Sequence, residues 1–329
     1  MNDIQICVVL RNFSSDSEYL KFGSSPFNRF WIQKLTIKDK QFLCKNLKYF
    51  TNFPEDNYLL CYWHRLGRGE PPEDALLRQS INFLIPLFRV MKLFKKGDLL
   101  MPLCFTYWKR KNRWYERQLH GEIFGLGFGF TQNFYILNKS EINTFENFKT
   151  MMKEKYLKPL NFLVDSPFIK PPEILKKYID TRCFLPIFLF SKISANLNPH
   201  LAIIEKLLDY TIGFEALYLK KKEKGKKRKL ANRVSFLLSK NEKEKNKIKS
   251  LIERFYEIRN DIVHASLVLS KDYEYLFKNI YEYSELLRKS ILAFLDLNFK
   301  YSSKEEIVEL LDNEDKNIKT NLTLLQLAK

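Results

Sequence analysis

The chain has 329 residues, with 56 Lys plus Arg against 38 Asp plus Glu and a formal net charge of +18. A hydrophobic fraction of 45% and an aromatic fraction of 15% exclude a disordered chain, and the basic excess points to a polyanionic partner, nucleic acid or a membrane surface. The five cysteines (Cys7, Cys44, Cys61, Cys104 and Cys183) are widely spread and form no Cys-x-x-Cys, which argues against a disulfide framework or zinc knuckle and for a reducing, cytoplasmic compartment. The N-terminal apolar run is interrupted early by Arg11 and Asn12, so no signal peptide is expected. The most apolar stretch, 184–190, falls well short of the roughly 20 residues of a membrane span.

Taken along the chain, residues 3–10, 30–37, 57–63, 99–108 and 127–137 are rich in β-branched and aromatic residues and are separated by Gly, Pro and Asn, which predicts strands. Residues 71–94 predict a helix: Pro71-Pro-Glu-Asp74 suits a first turn, Pro86 kinks it, and it stops near Gly97. A second helix follows Ser140 through Phe145, Phe148, Met151 and Met152. Beyond the proline-containing stretch 159–172 the character changes. No proline follows Pro199, and helical periodicity runs over 200–219, 230–238, 244–264, 272–299 and 303–311, the last opened by a capping box of Ser303 and Glu306. The fold class read from this pattern is α+β: a mixed strand and helix domain over 1–170, then an all-α bundle over 171–329.

One segment is of low complexity. Lys220, Lys221, Lys222, Lys224, Lys226, Lys227, Arg228 and Lys229, interrupted only by Glu223 and Gly225, join two predicted helices. So dense a run repels itself and reads as a mobile, solvated loop; an electrostatic contact to nucleic-acid phosphates and a plain solvated linker both fit it. The run Tyr107-Trp-Lys-Arg-Lys-Asn-Arg-Trp-Tyr115 interleaves aromatic and basic residues as single-stranded nucleic-acid surfaces do, and equally suits a hairpin turning at Lys111-Asn112. Gly125-Leu-Gly-Phe-Gly129 is no dinucleotide loop, because strand-like residues follow it. His64 and His120 have no ligand-spaced neighbours, so neither a metal nor a cofactor is expected.

The sharpest feature is Tyr256-Glu-Ile-Arg-Asn-Asp-Ile-Val-His264. On a helix, Asn260 and His264 share a face that runs back to Tyr256, whereas Arg259 lies about 140° from His264. Bringing Arg259 and His264 together takes the long Arg side chain, a distorted helix end, or a second chain. Leu251, Ile252, Phe255, Ile262 and Val263 form an apolar arc containing Arg259, and Ile204, Leu208, Ile212 and Leu219 form one containing Glu215. A charge facing a packed surface needs a partner, so Glu215 is expected to pair with Arg259.

With Gly213-Phe-Glu-Ala-Leu-Tyr218, Leu230-Ala-Asn-Arg-Val-Ser-Phe-Leu-Leu238 and the segment from Phe83 to Gly97, these residues resemble the Apea-like branch of the HEPN superfamily. The resemblance implies a HEPN helical bundle that forms a homodimer with a composite active site. Its activity would be that of a metal-independent endoribonuclease of antiphage defence, abortive infection or toxin–antitoxin systems, possessing an antitoxin or other regulatory partner. RNA supplies its own nucleophile, the 2′-OH, so the enzyme needs a proton acceptor and donor near neutrality and a cation on the phosphorane. His264 suits the first task and Arg259 the second, while Asn260 orients either group or binds a phosphate oxygen. The products would be a 2′,3′-cyclic phosphate and a 5′-OH. A HEPN module that binds RNA or a ligand without cutting is the alternative.

Overall fold

The computed structural model describes residues 3–22, 30–46, 58–65, 84–97, 99–110, 113–119, 134–157, 183–192, 198–264, 270–320 and 322–328. The expected features at 71–83, 111–112, 120, 125–129 and 159–172 lie outside these residues. The chain divides into two compact units, Met1–Lys149 and Thr150–Lys329. The division falls within a helix, Ile142–Met152, earlier than the boundary expected near residue 170. The protein is α+β, an antiparallel sheet followed by helices.

In the first unit, strands β1 (Asp3–Arg11), β3 (Tyr19–Phe22), β4 (Phe30–Lys34), β5 (Tyr58–Arg65), β6 (Leu100–Arg110) and β7 (Arg113–Leu119) form one sheet, ordered β3-β4-β5-β1-β6-β7. β2 (Phe13–Ser14) pairs in parallel with β8 (Tyr135–Ile136). Strand β1 lies between β5 and β6, and Ile4, Ile6, Cys7, Val8, Val9 and Leu10 are all buried, which explains its unbroken apolar sequence. On one face Cys7, Val9, Leu59 and Cys61 pack with Leu35 and with Leu43 of helix α1 (Ile37–Asn46). The free thiols of Cys7 and Cys61 meet there at 3.6 Å. On the other face Phe22 and Phe30 stack, and Phe145 of helix α3 (Ile142–Met152) meets both Phe22 and Phe94 of helix α2 (Ile85–Phe94) edge-on. The predicted strand at 30–37 stops at Lys34, because Thr36 and Asp39 cap the start of α1. Strands β6 and β7 form the hairpin, Arg110 opposite Arg113.

The second unit contains α4 (Phe184–Ser191), α5 (Pro199–Tyr218), α6 (Lys226–Leu238), α7 (Glu242–Val263), α8 (Ser270–Lys300), α9 (Lys304–Asp312) and α10 (Thr323–Leu327). Their starts are set by side chains: Asn198 caps α5 ahead of Pro199, Asn241 caps α7 ahead of two glutamates, and Ser303 caps α9. The expected capping box is displaced by one residue, since the carboxylate of Glu306 receives Ser302 rather than Ser303. Helices α5, α7 and α8 share one core. Phe255 stacks on Tyr283 at 4.1 Å, Phe214 packs on the same ring at 5.0 Å, and the Tyr283 hydroxyl shares a hydrogen bond with Thr211. At the C-terminus of α5, the ammonium of buried Lys304 donates to the carbonyls of Ala216 and Leu219, a cation on two carbonyls at the negative end of the helix. No helix among the described residues is long and apolar enough to cross a membrane.

Candidate functional site

Helix α7 ends at Val263, and His264 is its C-cap, with φ −90° and ψ 12°. The amide of His264 still donates to the carbonyl of Asn260 at 2.9 Å, so the one-turn relation between Asn260 and His264 survives a distorted helix end. The core-facing side of α7 is Ile248, Leu251, Ile252, Phe255 and Ile258. The expected arc included Ile262 and Val263, but Val263 is 51% exposed: the helix has run past the core by its last turn. Asn260 and Arg259 are half-buried there and His264 is exposed.

Arg259 does not pair with Glu215. One Nη of Arg259 donates to the side-chain oxygen of its neighbour Asn260 at 3.0 Å, and the guanidinium lies 5.7 Å from the ring centroid of Tyr256. The Tyr256 hydroxyl donates to Glu215 at 2.8 Å. Tyr256 therefore stands between the two charges, one turn below Arg259 and facing α5, and takes the carboxylate in place of the arginine. Burial, followed by the hydrogen bond to the Glu215 carboxylate, pushes the Tyr256 phenol up to about 12. The Nε of Arg259 is buried without a hydrogen-bond acceptor among the described residues. Such an unmet donor costs about 1–3 kcal/mol.

The lysine run is more ordered than a mobile loop. Lys226, Lys227, Arg228 and Lys229 are the first turn of α6, which opens on Gly225 at φ +67°, and the link back to α5 is only a tight turn with Lys222 at φ +57°. Glu223 anchors it. Its carboxylate receives both Nη atoms of Arg233 at 2.7 Å, the amide of Lys220 at 2.9 Å and the ammonium of Lys229 at 2.9 Å. Arg233 is 1% exposed and also donates to Asp312 and to the carbonyl of Tyr218, so one buried guanidinium ties the turn to α5, α6 and α9. Hydrogen bonding from Arg233 holds the Glu223 carboxyl well down, at about 2. This triad escaped the sequence reading, although its signal was there: Arg233 sits among Leu230, Val234 and Leu237 on the apolar side of its helix.

Four basic residues in one first turn oppose the helix dipole and concentrate positive potential at that end of α6. Three of the run are committed to acids: Lys220 to Glu309, Lys227 to Glu257 and Lys229 to Glu223. Lys221, Lys222, Lys224, Lys226 and Arg228 are exposed. An open groove of about 450 Å³ lies between the C-terminal half of α5 and the start of α6, lined among others by Ile212, Glu215, Ala216, Lys221, Lys222 and Lys226. The structure thus brings together Glu215, Tyr256, Arg259 and Asn260 directly, and sets part of the lysine run along a groove that includes Glu215. Among the described residues, no cluster of His, Cys, Asp and Glu gathers as a metal site.

Comparison with known proteins finds no matching family model, and neither a curated protein nor a solved structure shows significant similarity to the chain.

Proposed function

We propose that the chain is a metal-independent endoribonuclease of the HEPN type, with Arg259, Asn260 and His264 as its catalytic set and Glu215 and Tyr256 supporting them. The observation that carries this reading is the state of Arg259. Its guanidinium is oriented by Asn260 and the Tyr256 ring, its buried Nε has no acceptor among the described residues, and an exposed imidazole follows five residues on, at the helix C-cap. A phosphate seated on that guanidinium receives a prepositioned cation, as a pentacoordinate phosphorane requires. His264 takes the proton of the 2′-OH as it attacks, and a second imidazole or the same one returns a proton to the departing 5′ oxygen, leaving a 2′,3′-cyclic phosphate and a 5′-OH. DNA lacks the nucleophile and is not a substrate.

A homodimer with a composite site belongs to the same reading. Leu201, at 51% exposure, and Ile212, at 41%, lie on the face of α5 opposite its core side, with half-buried Ile204 and Leu208 between them. An apolar stripe of this kind beside the motif suits a second copy of the chain, which would bring two histidines to one site. In this reading the first unit, or an antitoxin or other regulatory partner, holds the nuclease in check in the setting of phage defence or abortive infection that the HEPN resemblance implies.

The test is incubation of the purified protein with total RNA or tRNA in EDTA, beside Arg259→Ala and His264→Ala. Cleavage by the parent alone, with cyclic-phosphate ends, is the expected result. Cleavage by all three proteins sinks the assignment. RNA binding without cleavage makes the chain a binding module.

A further inference from the structure

We infer that the groove between α5 and α6 is a nucleotide subsite for single-stranded RNA, in which Lys221, Lys222 and Lys226 take backbone phosphate and Glu215 reads a base amine. The inference rests on RNA being the ligand, as proposed above, and adds which of the basic residues meet it and what is recognised. Of the eight cations in the run, three are held by acids, Lys220 of these also lining the groove, and two, Lys224 and Arg228, do not line it; Lys221, Lys222 and Lys226 line it with no acid partner among the described residues. Glu215 lies in the same groove without pairing with any of them. One of its oxygens takes the Tyr256 hydroxyl, and the other has no donor among the described residues.

A carboxylate within a cationic groove selects against a bare anion, which it repels, and for a ligand carrying phosphate at one end and a hydrogen-bond donor at the other. Cytosine, adenine and guanine present that donor as an exocyclic amine, whereas the single ring N–H of uracil is flanked by two carbonyl oxygens that a carboxylate repels. The volume of about 450 Å³ suits one nucleotide, and Ala216 and Leu219, which also line the groove, give the base an apolar wall. Because the Tyr256 hydroxyl meets Glu215 while its ring meets Arg259, a strand occupying the groove adjoins the Arg259 guanidinium.

The test uses the full chain carrying His264→Ala, so that binding is read without cleavage, with short fluorescein-labelled oligo(C) and oligo(U) in EDTA over a range of salt. Oligo(C) is expected to bind more tightly. Adding Lys221→Ala, Lys222→Ala and Lys226→Ala flattens the slope of log Kd against log salt by about 2, three phosphate contacts at roughly 0.7 each. Adding Glu215→Gln instead leaves the slope and removes the preference for oligo(C). An unchanged slope in the triple-lysine variant, or equal binding of the two oligomers by the parent, overturns the inference. Neither outcome depends on cutting, so a chain that binds as described but never cleaves refutes the nuclease and leaves the subsite standing.

Discussion

The hydroxyl of Tyr256 and the carboxylate of Glu215 are joined at 2.8 Å, and this bond ties the last turns of α7 to α5 at the candidate site. With its phenol pushed up to about 12, Tyr256 remains a donor throughout the physiological range. Tyr256→Phe keeps the ring beneath Arg259 and removes only the donor to a charged acceptor. The expected loss is about 1.5–3 kcal/mol, the usual worth of a hydrogen bond to an ionised group, measured by equilibrium urea denaturation. A midpoint indistinguishable from that of the parent would show that water replaces the phenol at no cost.

Arg259 and His264 separate stability from chemistry. His264 is exposed and lies past the end of its helix, so His264→Ala should change stability by no more than about 0.5 kcal/mol. In the proposed reaction the same change removes the proton carrier and lowers cleavage by on the order of 10²–10⁴. Arg259→Lys keeps the charge but loses the planar fork, and a loss on the order of 10²–10³ in cleavage is expected from the missing donor geometry. Equal activity of Arg259→Lys and the parent, in single-turnover cleavage of a defined RNA, would remove the guanidinium from the mechanism.

How much of this was legible in the sequence follows from where periodicity speaks and where it does not. The helices of the second unit could be read because each carries many turns of one apolar face; helix α8, Ser270–Lys300, was expected over 272–299. The strands Phe13–Ser14 and Tyr19–Phe22 are too short for their alternation to stand out in the sequence, and helix α1 buries too few residues to make a pattern. The rule that a charge on an apolar face must find a partner separates two arginines. It holds for Arg233, whose acids come from a turn and from a helix far along the chain. It failed for Arg259, because α7 leaves the core at that turn and a tyrosine phenol reaches the carboxylate first. Charge density alone concealed Glu223, the one residue of the lysine run that determines its shape.

Arg233 carries the largest stability prediction. Removing it leaves two carboxylates facing each other, one of them buried, so Arg233→Ala should cost about 3–5 kcal/mol in urea denaturation. Arg233→Lys should recover only part of this, because an ammonium cannot serve Glu223 and Asp312 bidentately while donating to Tyr218.

The same triad sets an acid limb. The Glu223 carboxyl is held below its ordinary value of 4.5, at about 2, chiefly by Arg233. A depressed carboxyl stabilises the fold fully above the unfolded value, and that contribution drains away as pH falls from about 4.5 towards 2. Urea midpoints followed through this window should drop more steeply in the parent than in Glu223→Gln. Parallel acid limbs in the two proteins would mean that other carboxylates govern the loss.

The composite site requires a dimer, and the exposed stripe of α5 gives the claim a handle. Leu201 and Ile212 are eleven residues apart, about three turns, which returns them to the same side of the helix within about 20°. Burying such side chains against a second copy contributes about 1.5–3 kcal/mol each, and every substitution acts twice in a symmetric pair. Leu201→Asp with Ile212→Asp should therefore convert a dimer to a monomer in sedimentation equilibrium while leaving helix content unaltered. Cleavage should fall with the dimer. Mixing parent with excess His264→Ala protomers should likewise depress activity below simple dilution, since each heterodimer holds one incomplete set. A parent chain that sediments as a monomer at its assay concentration, yet cuts, would confine the chemistry to a single copy of Arg259 and His264.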